Sequence, residues 1–398
     1  MKITSEYFPN QGFLKSVNYS FLFLISGIFV HFDPVGFKVT FPFFYLIYLF
    51  SSFRLSNTSI SYYTLTFPLI FVCIFNFFST DDVILEDFLK TFLLLIFSLL
   101  FHIYFSTCKG CEKFKIDSRY ISLLLVTIFT LSILQFVFLK YGGSTMFFNL
   151  FGKFSYANEY SLDTFDSDGT FRVNAFYLEP SYLGFVVINL YLYLYLLRKL
   201  RLWHFILILI TLYLAGSRGG YIFFGLFMLY FSLVPSLNSK KHRSVYVLFT
   251  FLFLTFIFFS TDSFSILSGN NIVQENTSQY ERIYLGYQLA EKILLTYPTG
   301  IPLGHIEIYF QKLIGINSSI FSFFFLAIVY FGIVGIILIF SIFLFILLKF
   351  KYKQFFFLFF YLLMYFNITG SLLAPDTYFW FSIFILLFRS SKTYATTS

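Results

Sequence analysis

The fold is decided by one stretch, FRVNAFYLEPSYLGFVVINLYLYLYLLRKLRLWHFILILITLYLAGSRGG, residues Phe171–Gly220. Two apolar runs, 176–197 and 202–216, flank the basic turn Arg198-Lys199-Leu200-Arg201. Runs of this kind approach the ~20 residues that a hydrocarbon core of ~30 Å demands of a helix. A chain that crosses twice returns to the side it left. Arg172, Glu179 and Arg218 stand at the far ends of the two runs and are therefore expected on one membrane face. Ionisable groups at the mouths of apolar helices are costly and ask for a reason.

The rest of the 398-residue chain repeats the pattern: 58% of it is hydrophobic, 12% is charged, and its mean hydropathy is +0.80. A soluble domain has no use for so much apolar surface, because its exterior must meet water. The runs are continuous rather than alternating, which disfavours a β-barrel. The expected fold class is an all-α polytopic membrane protein, a single integral membrane domain over 1–398. Twelve spans are expected, near 17–32, 37–53, 62–78, 88–105, 120–139, 176–197, 202–216, 219–236, 245–260, 320–348, 355–370 and 372–388. The run to Phe350 is expected to make one crossing, because Lys349, Lys351 and Lys353 follow it. With both ends cytoplasmic, eighteen of the 27 Lys and Arg fall inside and sixteen of the 19 Asp and Glu fall outside. That alternation follows the positive-inside rule.

Several classes are excluded by the same reading. The net charge of +8 is distributed by topology, so it is no nucleic-acid footprint. There is no phosphate-binding glycine loop and no soluble domain to hold a nucleotide sugar. Cys108-Lys109-Gly110-Cys111 lacks the second pair or histidines of a zinc site and reads as reduced thiols in a cytosolic turn. Asp163, Asp166 and Asp168 read as solvated acids of a loop, and neither a metal nor another cofactor is expected. No cleavable signal peptide is expected, since the first apolar run has no small-residue cleavage site after it.

Two outer segments are large. Residues 140–175 carry Gly142-Gly143, an aromatic stretch and an acidic run. Residues 261–319 carry an amphipathic helix expected from about Ser278 to Thr296, its apolar stripe formed by Ile283, Tyr287, Ala290 and Leu294. That helix is expected on the outer membrane surface. The turn Tyr297-Pro298-Thr299-Gly300-Ile301-Pro302-Leu303-Gly304-His305 follows it, and its amides are expected to face a substrate.

The candidate chemistry lies in these segments. Arg218 occupies a tight turn among Gly216, Gly219 and Gly220. A guanidinium fork there matches phosphate oxygens, and snorkelling to lipid headgroups is the alternative. Glu179 precedes Pro180, a residue favoured at the first position of a helix, and reads as a base or orienting carboxylate, or else as a cap. Arg282 opens the amphipathic helix. His305 is the single histidine of a large outer loop, a candidate for proton transfer or a structural residue. Together the pattern suits an anionic, lipid-linked substrate.

Arg172…Glu179-Pro180-Ser181…Gly184, Ser217-Arg218-Gly219-Gly220, and Arg282…Pro298…Gly300…Gly304…Asn317 before Gly332…Gly335 together resemble the bacterial O-antigen polymerase and ligase superfamily, Wzy-type polymerases in particular. The resemblance implies a metal-independent glycosyltransferase of the C-type membrane fold in the bacterial inner membrane, with its active site on the periplasmic face. It implies an undecaprenyl-pyrophosphate-linked oligosaccharide as substrate and a polysaccharide chain-length regulator as partner. It makes Arg172, Glu179, Arg218, Arg282 and His305 the catalytic candidates and Ser217, Gly219, Gly304 and Asn317 the substrate-binding ones. Ligases of this superfamily carry a His-Asn pair where this chain has Ile316-Asn317, which favours a polymerase. A flippase or transporter of the same glycan is the alternative from another class. The nearly charge-free spans and the lack of a repeat weigh against it.

Overall fold

The computed structural model describes residues 19–30, 57–80, 83–107, 116–141, 172–175, 177, 180–233, 284–315, 322–348, 356–362, 364 and 379–388. The regular elements among these residues are helices, with no strand. In chain order the helices are α1 (Tyr19–Ile28), α2 (Asn57–Phe78), α3 (Leu85–Thr107), α4 (Ser118–Lys140), α5 (Pro180–Leu196) and α6 (Leu202–Ala215). There follow α7 (Arg218–Leu233), α8 (Gly286–Thr296), α9 (Ile306–Ile314) and α10 (Phe323–Leu348). Two shorter helices, α11 over 356–362 and α12 (Phe379–Phe388), complete them. The spans expected at 37–53 and 245–260 lie outside the described residues.

α5 is the central helix. Every side chain from Tyr182 to Leu194 is buried, as its all-round apolar sequence demands. Around it pack α1, α4, α6, α7, α11 and α12. Tyr182, Asn189 and Tyr193 on it are hydrogen-bonded within the protein. Tyr361 donates to Asn189 Oδ1 at 2.6 Å, Asn189 Nδ2 donates to the carbonyl of Phe185 at 2.9 Å, and the Tyr193 hydroxyl donates to the carbonyl of Trp380. The Trp380 indole N–H donates to the Tyr182 hydroxyl at 2.8 Å. A buried polar group without such a partner would cost its full desolvation, so these bonds fix how α5, α11 and α12 register.

A second core lies among α2, α3, α8, α9 and α10. Here one expectation is corrected. The helix Phe323–Leu348 breaks at Gly332 (φ 55, ψ −139), a backbone state reserved to glycine. The Pro-Gly turn over 297–305 enters that break. Ile333 N–H donates to the Pro298 carbonyl (3.0 Å) and Ile301 N–H to the Val329 carbonyl (2.9 Å). Asn76 on α2 donates to the carbonyls of both Thr299 (2.9 Å) and Tyr330 (3.1 Å). The amides of Gly300 and Ile301, expected to face a substrate, are occupied by Tyr297 and Val329.

The buried stripe of α8 is also shifted. It is Gly286, Leu289, Ala290 and Ile293, whereas Tyr287 is 53% exposed. Gly286 decides the face, since a Cβ there would stand 2.7 Å from the Phe325 ring of α10. Lys292 reaches the C-terminal end of α9, donating to the Leu313 carbonyl at 2.6 Å, where the helix dipole favours a cation.

Among the described residues, one helix, Ser118–Lys140, is both long and apolar enough to cross a bilayer on its own. Apolar side chains point outward on several helices: Phe67, Phe71 and Phe78 on α2, Leu123, Val137 and Phe138 on α4, Ile333, Ile337 and Phe340 on α10. Hydroxyls on these helices turn back onto their own backbone, Thr127 to the Leu123 carbonyl and Ser341 to that of Ile337.

Candidate active site

The two arginine-bearing segments come together. Arg172 Nε donates to the Ala215 carbonyl (3.3 Å) and its Nη2 to the Gly216 carbonyl (3.2 Å), so the half-buried guanidinium closes the C-terminal end of α6. Four carbonyls are left without intrahelical partners at such an end, and an arginine is a natural donor to them. Val173 N–H adds a third bond, to the Leu214 carbonyl at 3.0 Å. The chain then turns through Gly216 (φ +56), Ser217 and Arg218, the first residue of α7. Arg172 thus lies against the turn that carries Arg218, and the side chain of Arg218 is outside the described residues.

Ser217 is 2% exposed and works as the cap of α7, its Oγ accepting the Gly220 N–H at 3.2 Å. α5 presses on that cap through Gly184, where a Cβ would stand 2.7 Å from Ser217 Oγ. The Glu-Pro-Ser…Gly and Ser-Arg-Gly-Gly motifs are therefore in direct contact. Pro180 opens α5 as its position predicts, and Gly219 lies in the first turn of α7. A helix N-terminus of this kind carries a partial positive charge. Glu179, Arg282 and Asn317 lie outside the described residues.

His305 is buried and belongs to the second core. Its Nε2 accepts the Ile84 N–H at 2.8 Å, so its Nδ1 carries the ring hydrogen and donates to the Leu303 carbonyl, also at 2.8 Å. Both nitrogens are engaged, which ties the 297–305 turn to the start of α3. Gly304 lies against α3, where a Cβ would stand 2.7 Å from the Asp87 carbonyl.

Three functional-looking residues escape a reading that looks for charges. Gln135 on α4, Asn174, and Asn76 on α2 are all buried amides. Their signal in the sequence is faint: a single uncharged amide inside an otherwise apolar run, as Asn76 in Ile74-Phe75-Asn76-Phe77 and Gln135 in Leu134-Gln135-Phe136.

Among its described residues the protein is helical, with two apolar cores and a helix end closed by Arg172. Its sequence matches the profile of the WcaD colanic acid polymerase family over residues 19–390, and the chain belongs to that family. It is a family of polysaccharide polymerases, which join repeat units into a polymer. No curated protein and no solved structure matches the chain.

Proposed function

We propose that the protein polymerises lipid-linked oligosaccharide repeat units into a surface polysaccharide, from a site at the outer ends of α5, α6 and α7. The observation that carries the reading is the Arg172 guanidinium closing α6 directly beside the turn that opens α7 with Arg218. Arg172 and the N-terminal end of α7 meet there, a fitting cradle for a pyrophosphate.

In the reaction, a hydroxyl of an incoming lipid-linked unit attacks the anomeric carbon of the growing chain. A new C–O bond forms, and the bond from that carbon to the pyrophosphate oxygen breaks, its electron pair leaving with undecaprenyl pyrophosphate. The hydroxyl proton passes to Glu179 or to the departing phosphate. Arg172, Arg218 and Arg282 balance the growing negative charge, which for one preorganised donor amounts to ~2–4 kcal/mol of barrier. Ser217, Gly219 and Gly304 act through backbone shape, and Asn317 contacts substrate. His305 orders the outer turn. A polysaccharide chain-length regulator is its protein partner in this reading. No metal is invoked.

The bilayer setting is supported by the outward apolar faces of α2, α4 and α10 and by hydroxyls bonded within their own helices. It makes the twelve-span arrangement testable. Reporter fusions after Lys241 should read cytoplasmic, and those after Asn276 extracytoplasmic; the reverse at either point would separate Arg172 and Arg218 from the outer face. Deletion of the gene should leave surface glycan capped at one repeat unit. Loss of all glycan from its lipid acceptor, with lipid-linked polymer accumulating, would mark a ligase instead.

A further inference from the structure

Between α4 and α6 the short segment Arg172–Ala175 is held by one side chain from outside it. Gln135 Oε1 accepts two backbone amides, Asn174 N–H at 3.1 Å and Ala175 N–H at 2.8 Å. Gln135 Nε2 donates to Asn174 Oδ1 at 2.7 Å. All three groups are buried, Gln135 at 2% and Ala175 at 3% exposure, so water cannot replace a lost bond.

The bonds hold an unusual backbone. Ala175 has φ 52, in the left-handed region that a residue with a Cβ rarely adopts. Strain of that sort persists only where the surroundings over-determine it. The over-determining contacts lie on both sides of the segment: Gln135 grips 174 and 175, and the Val173 N–H bond to Leu214 fixes the next residue back. Tyr177 continues the anchorage, its N–H donating to the Asn174 carbonyl and its hydroxyl to the Gly27 carbonyl. Arg172 follows directly from this restrained backbone onto the Ala215 and Gly216 carbonyls.

We propose that Gln135 is a positioning residue of the active site, a clamp that keeps Ala175 in its left-handed state and thereby aims Arg172 at the turn carrying Arg218. The inference rests on the reading of Arg172 and Arg218 as the pyrophosphate cradle. Gln135 touches no substrate. It acts through two amides and the arginine three residues before Ala175.

The strained alanine supplies a test that mere core packing would not pass. Cells lacking the gene receive each variant, and polymer on a gel is normalised to protein by immunoblot. Gln135→Met keeps the shape and removes the clamp, and polymer per protein should fall about tenfold as Ala175 leaves its left-handed state and Arg172 shifts with it. Adding Ala175→Gly should restore it to within about threefold of the parent, because glycine holds a positive φ unaided. Should Gln135→Met not accumulate, Gln135→Asn, one methylene short of the two amides, is read the same way. Normal polymer in the clamp variant, or a loss that Ala175→Gly does not relieve, overturns the inference. Arg172→Ala is run in parallel and should be impaired with or without Ala175→Gly. If Arg172→Ala makes normal polymer, it is the cradle reading that fails, whatever Gln135 does.

Discussion

Arg172 lies across Gly216: a Cβ built on this glycine would stand 3.2 Å from Arg172 Nε and 3.4 Å from its Cγ. The glycine is required twice over, for its φ of +56 and for the room it gives the guanidinium. A side chain at 216 would therefore push the arginine off the helix end as well as strain the turn.

Gly216→Ala should accordingly lower both stability and activity. The left-handed backbone alone accounts for about 1–2 kcal/mol. Displacement of Arg172 adds a loss of polymer beyond the fall in protein level. Gel and immunoblot of the same membranes separate the two. Polymer falling only in proportion to protein would show that the Arg172 contact has no part in turnover.

His305 invites a different expectation. With both nitrogens bonded to the chain, its loss orphans the Ile84 N–H and the Leu303 carbonyl near the start of α3. His305→Ala should destabilise by about 1–3 kcal/mol, the cost of an unsatisfied buried group. The measurement is thermal stability in detergent beside specific activity. A stable His305→Ala protein that makes no polymer would return the histidine to proton transfer.

The break in α10 predicts a strong structural effect. A Cβ at Gly332 would stand 2.0 Å from the Pro298 carbonyl oxygen, a backbone atom that cannot swing aside. Gly332→Ala should fail to accumulate. Asn76→Ala, which frees two carbonyls without creating a clash, should accumulate with a loss of about 1–3 kcal/mol. Normal abundance of Gly332→Ala would mean that the 297–305 turn does not seat in the helix as described.

The helices α4 to α7 were legible because apolar runs and the residues that stop them coincide: Asp117 caps α4, Gly216 ends α6, Ser217 starts α7. The two-run reading of 176–216 put Arg172 and the 216–218 turn at one end of the runs, and the contact between them is a finding of the structure. What stayed hidden depended on tertiary contact. The α8 stripe is set by Gly286 against Phe325, which periodicity within one segment cannot report. Gly332 looked like one small residue among others in an apolar run, because its break is formed by a turn some thirty residues earlier in the chain. Gln135 was invisible to a search for charge, since its work is done by a neutral amide on another segment's backbone.

The sharpest expectation concerns Arg218. Its backbone opens α7 directly after the cap at Ser217 and two residues beyond the Gly216 carbonyl held by Arg172. The position is fixed by glycine-rich packing on both sides, so a substitution there changes a side chain and leaves the turn intact. A lysine keeps the charge but loses the planar fork that matches two phosphate oxygens, whereas alanine loses both. Arg218→Lys should be strongly impaired, and Arg218→Ala should come close to inactive, with a barrier raised by ~2–4 kcal/mol, roughly 30- to 1,000-fold in rate. Protein level should stay near that of the parent in both. A headgroup anchor predicts another ranking: lysine would serve as well as arginine, and alanine would cost little turnover. Polymer length and yield per protein distinguish the two. Normal polymer from Arg218→Ala at normal abundance would remove the cradle's central residue and leave Arg172 as a helix cap alone.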